Sequence, residues 1–249
     1  MQMASEMERP APPARPDAPE RGDRLTGIPL LADLPEHVAD AFARRCVWRS
    51  YDANELVIDY EDESTDVRFV LSGSLRVILR IATGREMILA EIGTGAHFGE
   101  IAAIDDAPRS ANVTALTPSR ICIMPQGVFH ELIGEHPTVN MTLLRELAGR
   151  VRALNTRLSE HSFLQTRHRL YCELLRLSRP RAIDPSQRAV SPPPVQKDLA
   201  ARIGSRREVV SREIAKLKRE GVVEVTTGAL VLKDVGKLNV MIDQGWDEC

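Results

Sequence analysis

The stretch "HFGEIAAIDDAPRSANV", residues 97–113, decides how the chain reads. It interrupts a strand-like texture with a tight glycine turn, one carboxylate, one guanidinium and one hydroxyl. Gly99 and Glu100 close a strand and open a short apolar turn, EIAAI, whose first backbone N–H groups lack partners inside the turn and can receive an anion. Arg109 lies about ten residues later, far enough on to return to the same place with a bidentate guanidinium, and Ser110 adds a hydroxyl. A carboxylate beside a phosphate cradle repels phosphate, so Glu100 reads as an acceptor for a sugar hydroxyl. A phosphate next to a ribose hydroxyl is a nucleotide.

Outward from this stretch, residues 50–123 are short β-favouring runs, "ELVIDY", "VRFVLSG", "SLRVILRIATG", "REMILAEIG" and "SRICIMP", with Gly73, Gly84, Gly93 and Gly95 at the breaks. Strands so closely spaced predict an antiparallel roll or barrel. Before them, Leu34, Val38, Phe42 and Val47 recur at helical intervals and predict a short helical lead-in over residues 30–48. Residues 1–23 hold five prolines and almost no large apolar side chain, which predicts a disordered tail. After the roll, one long helix is predicted from 137 to 158 or 160. On it Leu144, Leu147, Val151, Leu154 and Leu158 alternate spacings of three and four, an a/d seam. Such a stripe either pairs two copies of the chain or packs on the chain's own roll. The flanking Arg145, Glu146, Arg150, Arg152 and Arg157 suit solvent beside a narrow seam and favour pairing.

A second helical segment runs to about residue 179, and the proline-rich "PRAIDPSQRAVSPPP", residues 180–194, predicts a linker crossing a surface. In "VQKDLAARIGSRREVVSREIAKLKREGVVEV" the pattern gives a helix over 196–202, a turn at Ile203 and Gly204, and a second helix over 206–220. Ser205 with Glu208 three residues on predicts a capping box at the start of that second helix. Val209, Val210, Ile214 and Leu217 share its apolar face, while Arg206, Arg207, Arg212 and Lys216 lie on others. The runs "GVVEV" and "ALVLKD" complete a winged helix-turn-helix. The formal net charge of −2 argues on its own against a nucleic-acid partner. Residues 197–220, however, carry eight Lys or Arg against four Asp or Glu, and phosphates respond to the local surplus.

Several function classes are disfavoured. Cys46, Cys122, Cys172 and Cys249 lie far apart, so no zinc site, iron–sulfur ligand set or disulfide framework is indicated, and His97 has no evident partner as a haem ligand. No nucleophile motif, metal-ligand helix or Walker loop is present, and the expected class is not an enzyme. No apolar run is long enough for a membrane span, and a cytoplasmic location is expected.

"FGEIAAIDDAPRSANV" resembles the phosphate-binding cassette of cyclic-nucleotide-binding domains, FGE(L/I)A, a short insert, then PR(S/T/A)A and an apolar residue. "FVLSGSLRV" and "GREMILAEIGTG" are similar to the roll of the same family. The rear segment, Gly204-Ser205-Arg206-Arg207-Glu208-Val209-Val210-Ser211-Arg212, resembles the recognition helix of the CRP/FNR regulators, G-C-S-R-E-T-V-S/G-R. The resemblance implies an α+β fold: an antiparallel β-roll, a cyclic-nucleotide-binding jelly roll, joined by a long dimerisation helix to a winged helix-turn-helix domain. The divisions expected are a tail over 1–24, the roll with its lead-in over 25–136, the dimerisation helix over 137–160 and the DNA-binding domain over 161–249. It further implies that Glu100 accepts the ribose 2′-hydroxyl, that Arg109 pairs with the cyclic phosphate, and that Ser110 with the backbone of Gly99, Ile101 and Ala102 completes the cage. Leu89 supplies an apolar wall. Arg207, Glu208 and Arg212 fall on base-reading positions, where arginine grips guanine O6 and N7 and glutamate accepts from cytosine N4. Arg206 stands where serine is common and implies an extra phosphate contact.

The base-contacting pair of the family falls on Leu154 and Asn155. The Asn155 amide suits either purine and leaves the base unsettled; cyclic AMP is the expected ligand, with cyclic GMP open. Double-stranded DNA, a second copy of the chain and RNA polymerase are the implied partners. A regulator of this architecture sensing another effector is the alternative.

Overall fold

The computed structural model describes residue 17 and residues 23–80 and 86–248. The strand break at Gly84 and most of the predicted tail lie outside the described residues. Of the tail, Asp17 and Asp23 both pair with Arg120, and the Asp17 N–H donates to the Trp48 carbonyl at 2.9 Å.

Two 3-10 turns, Leu25–Gly27 and Pro29–Leu31, lead into α1, Glu36–Ala43. The helical spacing predicted through Val47 stops short of it. Val47 opens strand β1, Val47–Tyr51, where it pairs with Ile123, because β-branched and aromatic side chains gain more on a pleated ladder than on a further turn of helix. The roll continues with β2 (Leu56–Ile58), β3 (Val67–Ser72), β4 (Ser74–Arg80), β5 (Glu86–Gly93) and β6 (His97–Phe98). After α2 (Glu100–Asp105) come β7 (Asn112–Ala115) and β8 (Ser119–Met124). They form two antiparallel sheets, ordered β1-β8-β3-β6 and β2-β7-β4-β5. Tyr51, Val70, Leu75, Phe98, Val113 and Ile121 fill the space between them. A second cluster, including Leu31, Phe42, Trp48, Phe69 and Phe129, ties the lead-in to the roll and to the two helices after it.

α3 (Gln126–Glu135) turns at His136 into α4, Pro137–Phe163, three residues longer than the upper predicted limit. α4 ends where Leu164, buried and extended, donates its N–H to the Glu160 carbonyl. Val139 and Leu143 anchor its first turns in the lead-in core. Residues 148–156 are all exposed, so the middle of α4 is not packed into either core.

The rear domain comprises α5 (Thr166–Leu177), α6 (Gln196–Arg202), α7 (Arg207–Arg219) and α8 (Val235–Asp247) around a core that includes Leu170, Tyr171, Leu199, Val210, Leu217, Leu230 and Leu238. The predicted proline-rich linker is partly sheet. β9 (Arg179–Pro180) and β10 (Arg188–Val190) pair, and β10 adds to the wing of β11 (Val223–Val225) and β12 (Leu230–Leu232). Proline is tolerated there because it occupies a sheet edge, where no N–H is demanded of it. Among the described residues no helix is long and apolar enough to cross a membrane, and no cluster of His, Cys, Asp and Glu could hold a metal ion.

Candidate functional site

The cradle begins where β6 stops. Gly99 has φ of +87°, and a Cβ placed there would lie 2.5 Å from Arg109 Nη1 and 2.8 Å from the Asp66 carbonyl oxygen. Only glycine permits both the left-handed turn and the close approach. α2 therefore starts at Glu100 with its open N–H groups beside the arginine. Arg109, 3 % exposed, is held on three sides. Its Nε donates to Ser64 Oγ at 3.0 Å, Nη1 to the Gly99 carbonyl at 3.0 Å and Nη2 to the Asp66 carbonyl at 2.8 Å, with the Asp66 carboxylate at 3.2 Å. Burial pulls the Arg109 pKa below the ordinary guanidinium value, and Asp66 opposes the shift. Nη1 retains an N–H with no partner among the described residues. The side chain is thus positioned by its neighbours with donor capacity to spare.

Glu100 is buried to 1 % exposure. One of its carboxylate oxygens accepts from Arg150 of α4, while Oε2 is buried without a hydrogen-bond partner among the described residues. A buried carboxylate oxygen with no donor is costly, and a hydroxyl brought by a ligand would satisfy it.

These groups open on a cavity of about 390 Å³, lined by Leu89, Gly99, Glu100, Ile101, Ala102, Arg109 and Ser110 together with a face of α4 and Arg176 of α5. The α4 lining is Arg150, Ala153, Leu154 and Arg157, the i, i+3, i+4, i+7 set of one helix face. Asn155, predicted to read the base, does not line its own chain's cavity. It lies one residue, about 100° of helix, round from Leu154 and is exposed. Arg150, Arg157 and Arg176 were not among the residues predicted for the pocket. The 150/153/154/157 spacing was the signal for the first two. His97 also lines the cavity, buried, with Nε2 3.7 Å from the Glu146 carboxylate, and burial lowers its pKa to about 4.

The second constellation lies on α7. Arg206, Arg207, Glu208 and Arg212 are all exposed, and their side chains make no hydrogen bond or ion pair among the described residues. Val210, Ile214 and Leu217 bury the opposite face. The predicted capping box is absent. The N-cap is Arg206, without a side-chain cap, and the Ser205 N–H instead donates to the Ala200 carbonyl at 2.9 Å. The tight turn that sets α7 against α6 claims Ser205, and Glu208 is left to complement the helix dipole from the first turn.

An alternating run of charges leads from the cavity wall to α6, the helix before the second constellation. Glu160 of α4 pairs with Arg176, which pairs with Glu173. Arg202 of α6 lies between Glu173 and Glu91 of β5, and Arg76 of β4 bridges Glu91 at 2.7 Å and Asp198 of α6 at 2.6 Å.

Comparison with known proteins is consistent with both halves. Residues 48–136 match the cyclic nucleotide-binding domain and residues 168–241 the Crp-like helix-turn-helix domain. The chain is 28 % identical over 214 residues to the cyclic AMP receptor protein of Thermus thermophilus, covering 86 % of this chain and 96 % of that one. It is 27 % identical over 170 residues to the CRP-like cAMP-activated global transcriptional regulator of Mycobacterium tuberculosis, covering 68 % and 76 %. A variant of CooA from Carboxydothermus hydrogenoformans shares the fold with a TM-score of 0.71 at 21 % identity, covering 81 % and 90 %. A nucleotide-binding roll, a long connecting helix and a winged helix-turn-helix, matched along both halves, place the chain in the CRP/FNR family of transcription regulators.

Proposed function

We propose that the protein is a cyclic-nucleotide-responsive, sequence-specific regulator that acts without catalysis, as a homodimer on a palindromic operator. One observation carries the ligand half of this reading. The Glu100 oxygen without a donor and the Arg109 guanidinium with donor capacity to spare line one cavity, the pair of demands that a ribose hydroxyl and a ring phosphate meet together. Cyclic AMP, named for the relatives, is the reference ligand. The exposed seam supports dimerisation: Leu144, Val151, Leu154 and Leu158 are each more than half exposed on one chain, an apolar stripe that a second copy of α4 would cover. Two recognition helices related by that seam would enter successive major grooves about 34 Å apart, with Arg206, Arg207, Glu208 and Arg212 toward the duplex. Ligand contacts to α4 through Arg150 and Leu154 would bias one arrangement of the dimer over another. RNA polymerase is the further partner of such a regulator.

The test is calorimetric titration of the full chain with cyclic AMP and cyclic GMP, alongside sedimentation and selection of duplexes from a random pool with and without nucleotide. Expected are a dimer that dissociates on Leu158→Asp, nucleotide binding abolished by Arg109→Ala, and a palindromic site lost on Arg207→Ala. No binding of either nucleotide below millimolar concentration would overturn the ligand half, and a monomer or an asymmetric site the other.

A further inference from the structure

The base end of the cavity is chemically one-sided. α4 presents Arg150, Ala153, Leu154 and Arg157 to it, and α5 adds Arg176. Arg150 is committed to Glu100, and both terminal nitrogens of Arg176 donate, one to Glu173 and one to Glu160. Leu154 has no polar atom. Arg157 is different. Its Nη1 donates to the Leu89 carbonyl of β5 at 2.7 Å, which fixes the guanidinium across the cavity wall, while its Nε and Nη2 have no partner among the described residues. Fixing one nitrogen on a carbonyl removes much of the freedom a long side chain would lose on meeting a ligand. That same bond occupies the Leu89 carbonyl, so the α4 side offers donors and no free side-chain acceptor.

A base placed against this face meets apolar carbon and N–H groups, with no free side-chain acceptor on α4 or α5 of its own chain. Adenine presents an acceptor, N7, beside a donor, the 6-amino group, and the donor would face a guanidinium. Guanine presents two acceptors, O6 and N7, which one guanidinium grips in a bidentate pair. We infer that Arg157 is a specificity-determining residue that selects a 6-oxopurine, so that the cyclic nucleotide preferred by this cavity carries guanine. The inference rests on the proposal that the cavity takes a cyclic nucleotide, and it assigns the base within that class.

The experiment is competition binding on the full chain with cyclic AMP, cyclic GMP and cyclic IMP, the last having O6 and N7 but no 2-amino group. Cyclic GMP and cyclic IMP are expected to bind about tenfold more tightly than cyclic AMP, the lower part of the range for one bidentate arginine–guanine pair. Arg157→Leu, at a half-buried position of α4, should bring the three within about threefold of one another, since the tenfold preference is the one pair it removes. Arg157→Gln, whose amide has both a donor and an acceptor, should turn the preference toward cyclic AMP. A wild-type preference for cyclic AMP, or a 6-oxopurine preference that survives Arg157→Leu, would overturn the inference and leave the nucleotide-binding reading standing. Failure of all three to bind would instead remove that reading, and the inference with it.

Discussion

Gly99→Ala puts the geometry of the cradle to the sharpest test, because three consequences meet at one methyl group. An alanine at φ of +87° costs about 1–2 kcal/mol in backbone strain alone. Its Cβ would stand 2.5 Å from Arg109 Nη1 and 2.8 Å from the Asp66 carbonyl, closer than real contacts allow, so either the guanidinium or the entry to β3 must move. Moving the guanidinium lengthens its bonds to the Gly99 and Asp66 carbonyls, and losing one hydrogen bond from a charged group is worth about 1.5–3 kcal/mol. The sum is about 2.5–5 kcal/mol, which in a chain of this size lowers the melting temperature by roughly 10 °C. Nucleotide affinity should fall with it by more than tenfold, since Arg109 no longer sits where the Ser64 and Asp66 bonds hold it. Gly127→Ala is the control: it lies in α3 with nothing within 4 Å of the added methyl, and should be neutral or slightly stabilising. Differential scanning calorimetry and calorimetric titration read both effects. A Gly99→Ala protein that melts within a degree of wild type and binds equally well would refute the account of the cradle.

Two further outcomes concern charges the sequence does not pair. Arg202, 7 % exposed in its side chain, pairs with Glu91 at 2.8 Å and lies 3.7 Å from the buried Glu173, which keeps Arg176 as its partner. Arg202→Ala should cost about 1.5 kcal/mol by urea unfolding, the lower end for one hydrogen bond to a charged group. Arg24→Ala, which breaks an ion pair with both partners more than half exposed, should leave the midpoint unchanged. His97 titrates near pH 4 because burial, with Arg150, outweighs the pull of Glu146. The fold favours the neutral imidazole, so the unfolded state binds a proton first as pH falls. The resulting stabilisation is complete above pH 6.5 and is lost as pH falls toward 4, about 3 kcal/mol in all. His97→Gln should remove that part of the dependence in urea titrations at pH 7.5 and 5, where about 2 kcal/mol separates wild type from variant. An unchanged slope would place the titration elsewhere.

What the sequence reveals and what it hides divide along a physical line. The cradle was legible because its residue types admit few substitutes. A left-handed turn needs Gly99, and a phosphate site needs a cation that returns to that turn. The strands of the roll were legible from their breaks, and α6 from its period, to the residue at both ends. The misreadings concern residues that compete for two local roles. Ser205 could cap α7 or close the turn from α6, and the backbone bond to Ala200 decided it. Val47 could extend α1 or pair with Ile123, and a whole ladder of partners outweighed one helical turn. α8 was missed although its start carries a signal, Asp234 accepting from the Lys237 N–H at 2.7 Å, because the wing already closes the helix-turn-helix pattern.

Which residues of α4 line the cavity was hidden for a different reason. Whether Leu154, Asn155 or Arg157 faces a ligand depends on how α4 is rotated against β5, and that rotation is set by Val139 and Leu143 in a core some turns away. A motif locates the cradle because the cradle is built from local backbone. The α4 wall of the cavity belongs to a helix packed from a distance, so on the proposed reading the choice of base is a property of tertiary structure and not of the cassette.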